Sequence, residues 1–340
     1  MSTSFTTLRS IHTVGLLQKQ RAVAFSRNNR YFRNTAISTM KNPDNIYITT
    51  PIYYVNGEPH LGHSYTSVVS DVISRYYREY GKKVHFLSGT DEHGQKVEQT
   101  AIKNNQTPLV FADTVSQKFR DLMIRLNCSN DDFIRTTEQR HKEGVIALWK
   151  KLEANGDIYL GAYEGWYSIR DEAFYNENEL INGKAPTGAE VNWVKEETYF
   201  FRLSQYTEKL LQFYESNPQF IQPVGRRNEV LGFVKQEGGL RDLSISRITF
   251  QWGIPVPQDE KHVIYVWLDA LTNYISALGY PNMQDKRMVD FWPANVHIVG
   301  KDILRFHAIY WPAFLMSANL PLPKVKYIFS MSLLMFFTLL

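Results

Sequence analysis

A short β-branched run, Ile46-Tyr47-Ile48-Thr49-Thr50, leads into a loop punctuated by Pro51, Gly57 and Pro59, and out of that loop a helix opens on His60-Leu61-Gly62-His63. A strand feeding a helix in this way commits the chain to α/β order, because the helix must pack back over the sheet its strand joins. The helix runs over 64–80 and Gly81 ends it. A second strand at 84–88 precedes a polar loop, Gly-Thr-Asp-Glu-His-Gly. Thr107-Pro108 starts another helix, with proline at the first helical position, and a helix through Trp149 and Leu152 ends near Gly156. This order predicts a parallel sheet with crossover helices.

The middle of the chain breaks that rhythm. Residues 157–203 are dense in aromatic and turn residues, with short strand-like runs, and helical segments follow at 205–217 and 226–237. Alternating α/β sequence resumes at 262–270 and 295–307. The expected organisation is one Rossmann-like domain, 46–156 and 262–326, split by an insertion at 157–261.

Composition limits what else the chain can be. Cys128 is its only cysteine, which excludes an internal disulfide framework and a thiolate-held zinc knuckle. The net charge of +4 belongs to one end: residues 1–41 hold seven basic residues and no acid. Without those seven, 31 basic residues face 34 acidic ones, so charge gives no ground for a nucleic-acid-binding surface on the body. An Arg-rich, Ser-rich, acid-free leader reads as a mitochondrial transit peptide, with a disordered basic arm as the plainer alternative. Met40 leaves room for a second start. At the other end, 327–340 is apolar and uncharged, but 14 residues fall short of the roughly 20 that span a bilayer. It reads as a divergent apolar C-terminus, and no membrane association is expected.

Two imidazoles three residues apart at a helix N-terminus suit phosphate, since free amides and the positive dipole end lie beside them. Gly62 leaves the backbone open to a flat base. The four letters alone fit two structural histidines and a turn glycine equally well.

The motif has company, however. SGTDEHGQKVEQTA (88–101), EGWYSIRDEAFY (164–175), YFFRLS (199–204), FIQPVGRRNEVLGFV (220–234), DLSISR (242–247), WGIPVP (252–257), YVWLDALTNYISALGY (265–280) and GKDILRFHAIYWPAFLMSANLPLP (300–323) follow in order. In that order the chain resembles the methionyl-tRNA synthetases of class I, over about residues 46–326.

The resemblance implies a methionine–tRNA ligase that uses L-methionine, ATP with Mg²⁺ and tRNA(Met). It implies a monomer, and the leader adds the mitochondrial matrix. His60 and His63 would hold the ATP phosphates and stabilise charge as pyrophosphate leaves, and Gly62 would lie under adenine. Asp91 would pair with the α-ammonium of methionine. Ile52, Tyr54, Trp267, Tyr274, Ile303 and His307 would form the side-chain pocket, with Tyr54 and His307 offering polar contacts to sulfur. Gly300, Lys301 and Asp302 would lie near the ribose and adenylate, and Arg247 would be the activating arginine. Each pocket residue taken singly could equally be core.

The sequence departs from the family twice. The insertion has no cysteine, so it should be the zinc-free kind. After Lys326 there is no Lys or Arg, where the family places a Lys-Met-Ser-Lys-Ser loop, and the pattern is expected to stop near Tyr327. A catalytically impaired fragment that only binds methionine, ATP or a partner is therefore the competing expectation. Leucyl and cysteinyl relatives fit less well, the former needing a larger insertion and the latter cysteine ligands.

Overall fold

The computed structural model describes residues 45–323 except 172 and 176, and the backbone of 327–331; the basic leader lies outside the described residues. The first half runs β1 (Asn45–Thr49), β2 (Tyr53–Tyr54), α1 (Leu61–Glu79), β3 (Lys83–Asp91), α2 (Gln95–Lys103), α3 (Pro108–Arg125), β4 (Asp132–Arg135) and α4 (Gln139–Ala154). The expected stops hold: Gly81 takes φ +71° after α1, and the Thr107 side chain caps α3 with Pro108 behind it. β4 is a strand the sequence reading missed. It has only four residues, too few to show an alternation of their own.

An antiparallel sheet follows, ordered β6-β5-β7-β8, from β5 (Ile158–Ser168), β6 (Ala173–Tyr175), β7 (Asn192–Phe201) and, after helices α5 (Thr207–Ser216) and α6 (Val224–Val234), β8 (Leu243–Ser244). β9 (Ser246–Arg247), β10 (Pro255–Val256) and β11 (Asp259–Ile264) form a small antiparallel sheet. The expected return to alternating α/β at residue 262 therefore needs correction. Val263 and Ile264 pair antiparallel with Arg247 and Ser246, and a helix, α7 (Val266–Ser276), comes directly after them. An apolar run such as HVIYV suits either kind of sheet, and only the neighbouring strand decides. After α8 (Lys286–Phe291), the main sheet is rejoined at β12 (Val296–Gly300), and α9 (Trp311–Ser317) and β13 (Tyr327–Met331) follow.

The main sheet is parallel. β3 pairs with β1 and β2 along one side and with β4 along the other, while β12 flanks β1 and β13 lies outside β12. The reading of 327–340 as a divergent tail is thus corrected for its first five residues, which pair in register from Val296↔Tyr327 to Gly300↔Met331. An uncharged apolar run is what a parallel strand needs, because helices cover both faces of such sheets. Residues 332–340 lie outside the described residues.

Both faces of the sheet are buried. Ile46, Ile48, Phe86 and Ile298 share a core with Val97 of α2 and Phe111, Val115 and Phe119 of α3. Tyr47 and Leu87, one step along, point into a second core with Trp149 of α4, Leu271 and Ile275 of α7, and Phe314 of α9. The period-two alternation of strand side chains splits these residues between two helical layers. Among the described residues no helix is long and apolar enough to cross a membrane.

Candidate functional site

Strand order reverses at β1, with β3 on one side and β12 on the other. Open parallel sheets bind ligands in the crevice beyond the carboxyl ends of such strands. A cleft of about 660 Å³ lies there. Ile52, Tyr54, His60, Gly62, His63, Asp91, Trp267, Tyr274, Gly300, Lys301, Asp302, Ile303 and His307 all line it. Every residue singled out from the sequence is among them except Arg247.

The histidines cap α1 reciprocally. The Gly62 amide donates to His60 Nδ1 and the His60 amide donates to His63 Nδ1, both at 3.1 Å. With both Nδ1 atoms accepting, each neutral ring carries its proton on Nε2, and that proton is available to a phosphate oxygen. The rings stack with centroids 3.7 Å apart. Burial, and then the neighbouring His60, lower the His63 pKa to about 4, so it is a neutral donor at pH 7.

The end of β3 and the loop after it divide their labour among three consecutive residues. Asp91 is 2% exposed and lines the cleft. Glu92 turns away and accepts two bonds from Arg135 of β4, at 2.7 and 3.0 Å. His93 reaches α7, where its Nδ1 lies 2.6 Å from Asp269, and His141 of α4 meets the other oxygen of that carboxylate, also at 2.6 Å. Gly89 lets β3 sit tight, since a Cβ there would lie 2.1 Å from the Ile134 carbonyl oxygen and 2.9 Å from Ile52. The sequence reading named Asp91 alone. Glu92, His93, His141 and Asp269 were not legible as a set, because their partners lie up to 176 residues away.

Part of the lining is aromatic. Trp267 lies flat on Phe306, with centroids 3.6 Å apart and planes 6° from parallel, and Tyr54 meets its edge. His307 is 2% exposed, and burial lowers its pKa to about 4. Its Nδ1–H donates to the Ile303 carbonyl at 2.9 Å, so its Nε2 accepts from the Tyr274 hydroxyl at 2.7 Å. This qualifies the expectation that His307 meets the sulfur with a polar contact: both ring nitrogens are engaged within the protein, and the ring contributes shape and polarizability. Ile303 and His307 reach the cleft from a 3₁₀ turn, Lys301–Ile303, and a π-helical turn, Phe306–Tyr310, rather than from one regular helix. Further lining residues that sequence reasoning missed include Lys96 and Asn273; Asn273 Oδ1 is buried with no hydrogen-bond partner.

Arg247 sits elsewhere. It is 2% exposed in β9, donates to Ser244 Oγ at 2.7 Å and to the Ser246 carbonyl at 2.6 Å, and packs its guanidinium over Tyr265 and Tyr167. It does not line the cleft as the structure stands.

Similarity to known proteins agrees with this site. A model of the family "tRNA synthetases class I (M)" matches residues 46–192 and 175–336. The family pattern thus runs past Tyr327, where it was expected to stop. The methionine–tRNA ligase of Rickettsia prowazekii (strain Madrid E) is 66% identical over 279 residues, and that of Brucella suis biovar 1 is 59% identical over 283; each alignment covers 82% of this chain and 54% of the relative. The crystal structure of Mycobacterium tuberculosis methionyl-tRNA synthetase bound by methionyl-adenylate matches with TM-score 0.80 and 50% identity, over 84% of this chain and 57% of that one. The apo form of the same enzyme matches at TM-score 0.73. The chain spans about half the length of the relatives it matches. Within that span the parallel sheet, the cleft at its switch point and the sequence blocks agree, and the chain belongs to the tRNA synthetases of class I (M), the methionyl branch.

Proposed function

We propose that this chain carries the methionine- and ATP-binding site of a methionine–tRNA ligase serving mitochondrial translation. One observation supports this above the others: residues scattered from Ile52 to His307, the two histidines suited to phosphate and the aromatic rings among them, line a single cleft. The reaction so proposed has two steps. The methionine carboxylate attacks the α-phosphorus of ATP, a new O–P bond forms, and the bond to the departing pyrophosphate breaks. The 3′-terminal hydroxyl of tRNA(Met) then attacks the acyl carbon and AMP leaves. Mg²⁺ enters with ATP as part of the substrate. His60 and His63 donate from Nε2 to phosphate oxygens, and Asp91 holds the α-ammonium. Trp267, Tyr54, Tyr274, Ile303 and His307 surround the thioether, whose soft sulfur packs well on aromatic rings. Gly300, Lys301 and Asp302 face the ribose and adenylate. Arg247 acts from outside the cleft, through the segment it braces.

The connective-peptide insertion starts at residue 157 and runs through β11, which ends at Ile264, before the chain returns to the catalytic domain, in a protein that works as a monomer. No cysteine lies in the insertion, and aromatic packing such as Trp166 against Trp193, centroids 5.4 Å apart, helps hold it without zinc.

A second reading has its own observation. Residues 327–340 carry no Lys or Arg, so these fourteen residues offer departing pyrophosphate no cationic side chain. A single such donor is commonly worth about 10²–10³ in rate. Methionine-dependent ATP–pyrophosphate exchange by the 340 residues is therefore expected at least about a hundredfold below that of the same chain extended with a lysine-bearing loop. Equal rates would remove the second reading. An extended chain that exchanges with another amino acid and not methionine would remove the first.

The leader supports the cellular assignment. Residues 1–41 fused to a fluorescent protein are expected to accumulate in the mitochondrial matrix, and a diffuse cytosolic signal would count against it.

A further inference from the structure

The turn that carries Phe306 and His307 is π-helical, and it runs directly into α9, whose second residue is Pro312. In a regular α-helix the Ala308 carbonyl would accept from the amide of residue 312. Proline has no such N–H, and its ring crowds the carbonyl four residues before it. Widening to a π turn relieves the clash. A donor from outside the helix then meets that oxygen: the hydroxyl of Tyr214, in α5, donates to the Ala308 carbonyl at 2.6 Å. Tyr214 is 1% exposed and wedged against Phe220. A second contact braces the same stretch, the Arg305 guanidinium lying 4.0 Å from the ring centre of Phe233 in α6. The turn supports part of the cleft lining. Phe306 backs Trp267 face to face, and His307 takes the Tyr274 hydroxyl. A one-residue change of helical register would rotate both side chains by about 100°.

We propose that Tyr214 is a positioning residue for the methionine pocket: it replaces the amide that Pro312 lacks, fixes the π register of 306–310, and so ties helix α5 to the aromatic wall. This rests on reading that wall as the methionine pocket. Burial holds the phenol's pKa well above its usual value, so it remains a donor across the working pH range.

The test uses the full chain. Tyr214→Phe keeps the ring and removes the donor. Calorimetry is expected to show methionine binding about tenfold weaker, with ATP binding within about twofold of wild type. Hydrogen exchange of the amides at 306–311 should quicken. Pro312→Ala restores an amide donor at residue 312, and in that background Tyr214→Phe should cost methionine binding less than about threefold. A role in general stability would instead weaken both ligands equally and give the same loss in both backgrounds; either result overturns the proposal. Unchanged exchange at 306–311 in Tyr214→Phe overturns it as well, and that measurement stands even where Pro312→Ala does not fold. If the wild-type chain binds no methionine, the pocket reading of the cleft fails and the proposal with it; the exchange measurement still separates a failed pocket from a failed brace.

Discussion

Replacing Asp91 with alanine is expected to weaken L-methionine binding by about 10²–10³-fold, while ATP binding stays within about twofold. Asp91 ends β3, is nearly inaccessible, and lines the same cleft as the residues that would take the methionine side chain. The α-ammonium must shed water to enter such a site and needs a fixed counter-charge there. Removing one member of a desolvated pair leaves the other buried and unpaired, which costs about 2–5 kcal/mol. The neighbouring anchors stay: Glu92 still grips Arg135 and His93 still meets Asp269. The loss should therefore be confined to the amino acid. Titration calorimetry with methionine and with ATP measures both, and an unchanged methionine affinity would sink the assignment.

The second large effect is on stability. Asp269→Ala should lower the melting temperature by roughly 10 °C, because breaking a buried ionic contact by removing one partner costs about 3–5 kcal/mol. Asp269 is fully buried between His93 and His141, and His141 is held in turn by Ser276 Oγ at 2.8 Å. Burial pushes this carboxyl up, but the charge and hydrogen bonds of the two imidazoles outweigh it and bring it down to about 2 from 3.8. A carboxyl whose pKa falls on folding stabilises the fold above its unfolded value and loses that contribution as pH drops through the folded value. The stability gap between wild type and Asp269→Asn should therefore be full at pH 5–7 and shrink between about pH 4 and 2. Denaturant melts across that range read it directly. A gap that stays constant from pH 7 to 3, or no gap, would show that the carboxylate is not the ionised centre of the cluster.

The two predictions meet in one loop. Asp91 and His93 are two residues apart, one facing the cleft and the other fastening the loop to the helix that carries Trp267 and Tyr274. Function and stability are thus written in adjacent letters, and sequence inspection could assign only the letter whose role the family resemblance supplied.

Sequence by itself determined whatever depends on near neighbours. The strand–loop–helix at 46–80 follows from β-branched residues, turn residues and a glycine stop, and the histidine cap needs only residues 60–63. With the family resemblance, the same local blocks named thirteen of the cleft residues, together with Arg247, which lies outside the cleft, and passed over others such as Lys96 and Asn273. Tertiary structure decided what depends on distant partners. β4 and β13 are recognisable as strands because β3 and β12 offer them free edges, and β11 lies antiparallel because β9 and β10 flank it. Both nitrogens of His307 are engaged because Tyr274 and the Ile303 carbonyl reach them. The Ala308 carbonyl finds its donor on Tyr214, 94 residues earlier. The physical reason is the same in each case: buried backbone and side-chain polar groups must be paired. The sequence shows which groups need a partner, and only the folded chain shows which partner each one meets.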